Sequence, residues 1–136
     1  MAPTVISGET DLQKLLTAAE PQLRPGRYAF CRVDDPAAIP LDEIVGLFRE
    51  AEGWTVILPE ETARSLSLSY GFAAAWIIFM VHSSLEAVGF TAAFSAALAR
   101  EMIGCNVVAA FYHDHIFVRY EDADRAIAAL KRLTRQ

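Results

Sequence analysis

Two stretches of the chain decide the fold: EGWTVILPEETARSL (Glu52–Leu66) and HDHIFVRYEDADRAI (His113–Ile127), which lie 61 positions apart. In each stretch a short polar link leads into an apolar run, which is followed by an acidic pair and then by an arginine. Acidic residues at the start of a helix are stabilised by its free N–H groups and by the positive end of its dipole. The shared pattern is therefore typical of a strand followed by a helix, and its repetition predicts a duplicated unit.

The segments leading into these helices predict a β-hairpin in each copy of the repeat. The predicted strands are Val45–Glu50, Trp54–Leu58, Asn106–Tyr112 and Ile116–Tyr120, with polar turns at Ala51–Gly53 and His113–His115. The alternative in the first copy is a helix over Leu41–Glu52, since Ile44, Leu47 and Phe48 also fit a helical stripe. The repeat favours the hairpin.

The remaining elements follow from apolar periodicity and helix-ending signals. In the second half we predict a buried strand Phe72–Val81, a helix Val88–Met102 that ends before Gly104, and a last helix Asp122–Leu133. In the first half we predict an edge strand Thr4–Ile6, a helix Thr10–Ala19 and a strand Arg27–Val33. The second half thus has the order β-α-β-β-α, one strand short of the ferredoxin-like β-α-β-β-α-β set.

These elements predict an α+β protein with two ferredoxin-like units, antiparallel sheets and helices on one face. We place the units at residues 1–68 and 69–136, because the first half carries a net charge of −5 and the second half none. Two small sheets have exposed edges, so we expect the units to pair side by side or the chain to form a homo-oligomer.

Composition excludes several classes of protein. The net charge is −5 with a pI near 5.1, and no basic stripe is present, so nucleic acid is not an expected partner. The longest apolar stretch, Gly71–Val81, is about half of the roughly 20 residues that a spanning helix needs, so a membrane is not expected either. The two cysteines, Cys31 and Cys105, form no disulfide framework, and the first residues do not resemble a secretory signal. We therefore expect a cytoplasmic protein.

The segment VHSSLEAVGFTAAFSAALAREMIGCNVVAAFYHDHIFV (Val81–Val118) resembles the ACT domain. GETDLQKLL, GRYAFCRV and FREAEGWTVILP are similar to the first module of small stand-alone proteins with two ACT domains. The resemblance implies a non-enzymatic regulatory protein with the ferredoxin-like fold, which binds an amino acid or similar small molecule at an interface between ACT domains. One departure is Val88-Gly89, where many ACT domains have Pro-Gly.

The link Ser83–Thr91 is the predicted ligand site. A glycine at the first turn of a helix lets a ligand approach the backbone, and the free N–H groups there favour a carboxylate. Ser83 and Ser84 would add hydroxyl donors, and Glu86 would meet an ammonium or guanidinium group. The full predicted set is Ser83, Ser84, Leu85, Glu86, Gly89, Phe90, Thr91, Asn106 and Val107. The structural alternative is that a serine caps the turn and Gly89 only allows close helix–sheet packing.

The histidines are candidate metal ligands. His113 and His115 flank Asp114, and His82 begins the predicted ligand link. A tight turn does not make two imidazoles converge, so we expect no metal and no cofactor. Serine beside His82 is not a catalytic triad, because adjacent residues of a strand point to opposite faces. We therefore expect no catalytic residues, and the alternative function is an interaction module that oligomerises or docks to an enzyme without a ligand.

Overall fold

The structure, a computed structural model, describes residues 11, 14, 19–80 and 89–134. The strands are β1 (Pro21–Leu23), β2 (Tyr28–Val33), β3 (Gly46–Glu50), β4 (Gly53–Pro59), β5 (Ala74–Phe79), β6 (Asn106–Ala109) and β7 (Asp114–Arg119). The helices are α1 (Glu60–Ser65), α2 (Phe90–Arg100) and α3 (Ala123–Thr134), and short 3-10 turns lie at Pro36–Ala38, Leu41–Glu43 and Tyr120–Asp122. No helix of the described residues is long and apolar enough to cross a bilayer.

All seven strands belong to one antiparallel sheet. Its order is β3-β4-β2-β5-β7-β6, and β1 also pairs with β5. The two halves of the chain meet where Tyr28 of β2 pairs with Ala74 of β5. The side-by-side arrangement of the units, one of the two expected ways to cover their edges, is therefore present within the chain, and the ferredoxin-like α+β class is confirmed.

The repeat is visible in the order of the elements. The series β5-α2-β6-β7-α3 matches β2-β3-β4-α1, and β4 and β7 begin 61 positions apart, at Gly53 and Asp114. The alternative helix over Leu41–Glu52 is wrong, because a 3-10 turn (Leu41–Glu43) and the strand β3 (Gly46–Glu50) occupy that segment. The 3-10 turns between β2 and β3 take the place that α2 has in the second half. Prolines open this segment, and the Asp35 side chain accepts from the Ala37 N–H at 2.9 Å, which favours a turn over a continuing helix.

A strand that the sequence did not predict supplies the fourth strand of the second unit. β1 pairs along β5 from Pro21↔Phe79 to Leu23↔Ile77, on the side opposite to β7. Its three residues include an initial proline, which is tolerated at the first position of a strand but gives no periodic signal. The predicted strand Thr4–Ile6 and most of the predicted helix Thr10–Ala19 lie outside the described residues. The unit boundary at residue 68 stays a prediction.

The helices cover one face of the sheet. In the second half, α2 and α3 pack on alternate residues of β5 and β7 around Phe79, Phe94, Leu98, Ile116 and Leu130, all fully buried. In the first half a separate cluster forms on the same face around Cys31, Val56, Leu58 and Ala63. Removing this much apolar surface from water is the main driving force for the fold.

The helix-free face is buried at its centre as well. Ile57, Ala74 and Phe117 form a third cluster there, and Phe30 and Trp76 pack against it. Since its central strands are covered on both sides, the sheet must curl over this face. The continuous apolar run predicted for residues 72–81 is explained by this double burial, although β5 itself is shorter, Ala74–Phe79.

Three local predictions were wrong in detail. The second hairpin turns at Ala110–His113, where the Ala110 N–H donates to the His113 carbonyl at 3.0 Å, so the strand already begins at Asp114. The residue with positive φ after α2 is Met102 (φ 60°) and not Gly104. The last helix begins at Ala123, because a 3-10 turn occupies the predicted first residue. The first error arises because His113-Asp114-His115 has the composition of a turn, whereas two of its residues are half-buried or buried strand residues.

Candidate functional site

The start of α2 is the predicted anion site, and Gly89 gives it an unusual backbone. Gly89 is the N-cap in the left-handed conformation (φ 91°, ψ −9°), and no side chain caps it. The first helical hydrogen bond runs from the Ala93 N–H to the Gly89 carbonyl at 2.8 Å. The N–H groups before Ala93 therefore have no acceptor within the helix and are suited to bind an anion.

The two residues after Gly89 have different roles. The Phe90 side chain is buried, and its ring centroid lies 5.5 Å from that of Phe79 and 5.4 Å from that of Phe94. Phe90 therefore anchors the start of α2 on the sheet, and its ring is a core group. Thr91 is exposed, and its carbonyl accepts a hydrogen bond from the Ser95 hydroxyl. A ligand at this helix end can reach the Thr91 hydroxyl but not the Phe90 ring.

A buried carboxylate lies at the same end of the sheet. Asp114 is 4% exposed, and it pairs with Phe79, whose ring contacts Phe90. Side chains alternate along a strand, so Asp114 shares a face with Ile116 and Val118, which belong to the core beneath α2. The composition of His113-Asp114-His115 predicts a turn there. The signal that identifies it is the alternation of Asp114 with Ile116 and Val118.

Asn106 and Val107 begin β6, opposite Phe117 and Ile116 of β7. Asn106 is exposed and lines cavities on the helix-free face, together with Phe30 and Phe117. Val107 is half-buried and packs against the core on the helix side. The sheet thus separates Asn106 from Gly89, and the structure does not bring them together within one chain.

The other predicted contacts belong to the link between β5 and α2. Ser83, Ser84, Leu85 and Glu86, like His82, lie outside the described residues. The predicted site is consequently represented by the N-terminal end of α2, and the structure adds Asp114 to it.

The Asp114-His115 pair does not form a metal site. The two side chains lie on opposite faces of β7, and no three metal-binding side chains converge within residues 19–80 and 89–134. His115 Nδ1 instead accepts a hydrogen bond from the Trp76 Nε1–H, with 3.0 Å between the two nitrogens. Burial, with a smaller effect of His113, lowers the pKa of His115, so the imidazole is kept neutral as this acceptor.

The two thiols have the environment of structural cysteines. Burial raises the pKa of both Cys31 and Cys105. A raised pKa disfavours the thiolate, which is the nucleophilic form. Neither group is therefore activated for catalysis in the way that a catalytic cysteine requires.

Comparison with known proteins identifies the same family in both halves of the chain. Two family profiles described as ACT domains match the chain, one over residues 7–75 and the other over residues 72–132. No curated protein matches it. A crystal structure of a Vibrio cholerae protein of unknown function, described as a possible transport protein, is 41% identical with a TM-score of 0.81. That match covers 90% of this chain and 95% of the other.

More distant structures show the same fold. An Agrobacterium tumefaciens protein is 19% identical with a TM-score of 0.67, covering 85% of this chain and 89% of its own. The regulatory subunit of aspartate kinase from Thermus thermophilus is 11% identical with a TM-score of 0.56, covering 86% of this chain and 98% of its own. None of these matches indicates a catalytic family.

Proposed function

The chain belongs to the ACT domain family, and on that basis we propose that it is a non-enzymatic regulatory protein that binds a small molecule of the amino-acid type. The observation that carries the proposal is the buried carboxylate of Asp114 at the same end of the sheet as the uncapped start of α2. One of the similar structures is itself a regulatory subunit, that of aspartate kinase.

A zwitterion suits these two groups. The α-carboxylate would accept hydrogen bonds from the first N–H groups of α2, and the ammonium would pair with Asp114. Both interactions involve charged groups in partly dehydrated surroundings, where they are stronger than in water. The hydroxyl of exposed Thr91 would add a donor at the rim.

The regulatory step follows from the position of the site. We place the ligand at an interface between ACT units, with Ser83–Glu86 as further contacts and Asn106 contributed by a facing unit. Because the sheet separates Gly89 from Asn106 within one chain, a ligand that touches both must lie between two copies of a homo-oligomer. Binding would then favour one relative orientation of the copies. A cytoplasmic location fits two free thiols.

The test is a thermal-melt screen of the purified chain against the proteinogenic amino acids at millimolar concentration. A ligand at 100 times its Kd stabilises the folded state by about 2.7 kcal/mol, which raises the melting temperature by roughly 5 °C or more. We expect one chemical class to produce such a shift. A shift that is equal for all amino acids, or absent for all, contradicts the proposal.

Two variants locate the site. Asp114→Asn keeps the size of the side chain but removes its charge, and we expect it to abolish the ligand-induced shift. Asp124→Asn, an exposed residue in the first turn of α3, is the matched control and should keep the full shift. Gly89→Val should also abolish binding, but its positive φ makes a β-branched residue strained, so its melting temperature without ligand must be compared first.

A second function has one observation in its favour. β3 is the terminal strand of the sheet, and its side chains Leu47 and Phe48 are 38% and 49% exposed. An open strand edge with apolar side chains is suited to pairing with another chain. If the amino-acid screen is flat while the chain forms a stable oligomer that Phe48→Lys dissociates, the interaction module is the correct function.

A further inference from the structure

A cavity lies on the helix-free face, away from the start of α2. Its volume is about 660 Å³, within the range of roughly 300–1,000 Å³ that is typical of small-molecule sites. Three phenylalanines form its apolar walls: Phe30 from β2, Phe72 before β5 and Phe117 from β7. The walls of the cavity therefore come from both halves of the chain. Asn106, a member of the predicted ligand set, also lines it.

The aromatic walls are held in place but remain accessible. The rings of Phe30 and Phe117 pack edge to face, with centroids 5.2 Å apart and an interplanar angle of 87°. Phe117 is buried, whereas Phe72 is 50% exposed. A flat apolar group that covers a half-exposed aromatic ring removes apolar surface from water, which favours binding.

The two charged residues in the cavity wall are Arg119 and Asp122. The Arg119 guanidinium lies 5.7 Å from the centroid of the Phe72 ring, and it has no ion-pair partner among the described side chains. Asp122 also lines the cavity, but its carboxylate is paired with Arg125 at 3.2 Å. An arginine without an acidic partner beside an apolar cavity favours a carboxylate, which it can bind through two parallel hydrogen bonds.

We propose that this cavity binds a small monocarboxylic acid with a flat, apolar body. The body would lie against Phe30, Phe72 and Phe117, and the carboxylate would pair with Arg119. The exposed Asn106 amide, at the start of β6, would donate to the second carboxylate oxygen. This site differs from the one proposed at α2 in its face of the sheet and, apart from Asn106, in its residues, and the carboxylate in its wall, that of Asp122, is paired with Arg125.

Glycine positions in the structure allow a direct test. A Cβ added at Gly104, which lines the cavity, meets no atom within 4 Å, and its φ is not positive. Gly104→Leu should therefore fold normally while its side chain occupies the cavity. Gly71 is the matched control, because a Cβ there also meets no atom within 4 Å and Gly71 does not line the cavity.

The probe is 3-phenylpropionate, titrated calorimetrically against the full chain up to about 10 mM, a range that detects affinities weaker than 1 mM. We expect saturable binding to the unaltered chain and to Gly71→Leu, and none to Gly104→Leu. Arg119→Gln should weaken binding about tenfold, and so should replacing the probe by neutral 3-phenylpropionamide, since both remove the charge pair. Lys131→Gln removes an exposed charge of α3 and should leave the affinity unchanged.

Other outcomes overturn the proposal. Absence of binding to the unaltered chain rules out the site, and equal binding of acid and amide rules out the carboxylate. Binding that survives in Gly104→Leu but is lost in Asp114→Asn would place the probe at α2 instead. Because the amino-acid screen uses different ligands and the cavity is tested by its own variants, Gly104→Leu and Arg119→Gln, this proposal and the proposed function can fail separately.

Discussion

Acid should destabilise this protein through the hydrogen bond between Trp76 and His115. The indole Nε1–H donates to His115 Nδ1 at 3.0 Å, so the imidazole must be unprotonated at that nitrogen. The ordinary pKa of histidine is about 6.5, and burial together with His113 lowers the pKa of His115 in the folded state. Arg24 lies 5.4 Å from the Trp76 ring and adds another positive charge nearby.

The direction of the pH effect follows from this lowered pKa. Between the lowered pKa and 6.5 the unfolded chain binds a proton at His115 that the folded chain does not, so unfolding is favoured there. The stabilisation is complete above pH 6.5 and is lost as the pH falls through the folded-state pKa. A neutral hydrogen bond contributes about 1 kcal/mol, and an indole N–H left without a partner costs about the same again.

Two variants separate the proton from the hydrogen bond. His115→Leu removes the acceptor, so we expect a loss of about 1–2 kcal/mol at pH 8, or roughly 3–8 °C in melting temperature. His115→Asn keeps an acceptor oxygen but does not titrate, so it should be nearly as stable as the unaltered chain at pH 8 and lose less stability on acidification.

The measurement is urea unfolding at pH 8, 7, 6 and 5, followed by tryptophan fluorescence. All groups other than the side chain at position 115 are the same in the three proteins, so the difference between the unaltered chain and His115→Asn isolates His115. If His115→Asn keeps the full loss of stability between pH 7 and pH 5, the reasoning is refuted. A His115→Leu variant as stable as the unaltered chain at pH 8 would show that the hydrogen bond contributes nothing.

Two further predictions concern stability. In the same urea titration, Phe94→Ala should lower the free energy of unfolding by about 3–5 kcal/mol, because the ring is fully buried against Phe79 and Phe90. The control is Phe111→Ala, at a residue that is 62% exposed, which should change the free energy of unfolding by about 0.5 kcal/mol or less. Gly53→Ala should lower the free energy of unfolding by at least about 1 kcal/mol, because φ is 145° and the new Cβ would lie 2.9 Å from Arg32 Nε. Gly71→Ala is the control, since a Cβ there meets no atom within 4 Å, and equal melting temperatures for the two variants would contradict the argument.

The larger part of the fold follows from local patterns in the sequence. Both hairpins, the buried strand β5 and the helices α2 and α3 have the apolar patterns that the structure confirms, and α3 also has the charged ends. The strand β1 could not be predicted in this way, because three residues that begin with proline show no alternation. Its position depends on the exposed edge of β5, which is a property of the assembled sheet.

The candidate site is less accessible to sequence reasoning than the fold. The glycine at the start of α2 is predictable, since it precedes a clear apolar stripe. The cavity between Phe30, Phe72 and Phe117 is not, because these residues come from strands that are adjacent only in the folded sheet. Periodicity assigns each of them to an element, but it does not specify which elements lie side by side.

The segment His113–His115, where the turn prediction was wrong, also contributes Asp114 to the proposed ligand site. Local composition favours a turn at Asp114 and His115, yet both lie within a strand, on opposite faces of the sheet. A buried carboxylate and a half-buried imidazole destabilise a strand unless each is satisfied by a partner, so a sequence selected for stability alone would place apolar residues there. His115 is satisfied by Trp76 and so stabilises the fold. Asp114 is 4% exposed and lies at the same end of the sheet as the uncapped start of α2, and functional sites are where such conflicts with local preference are expected.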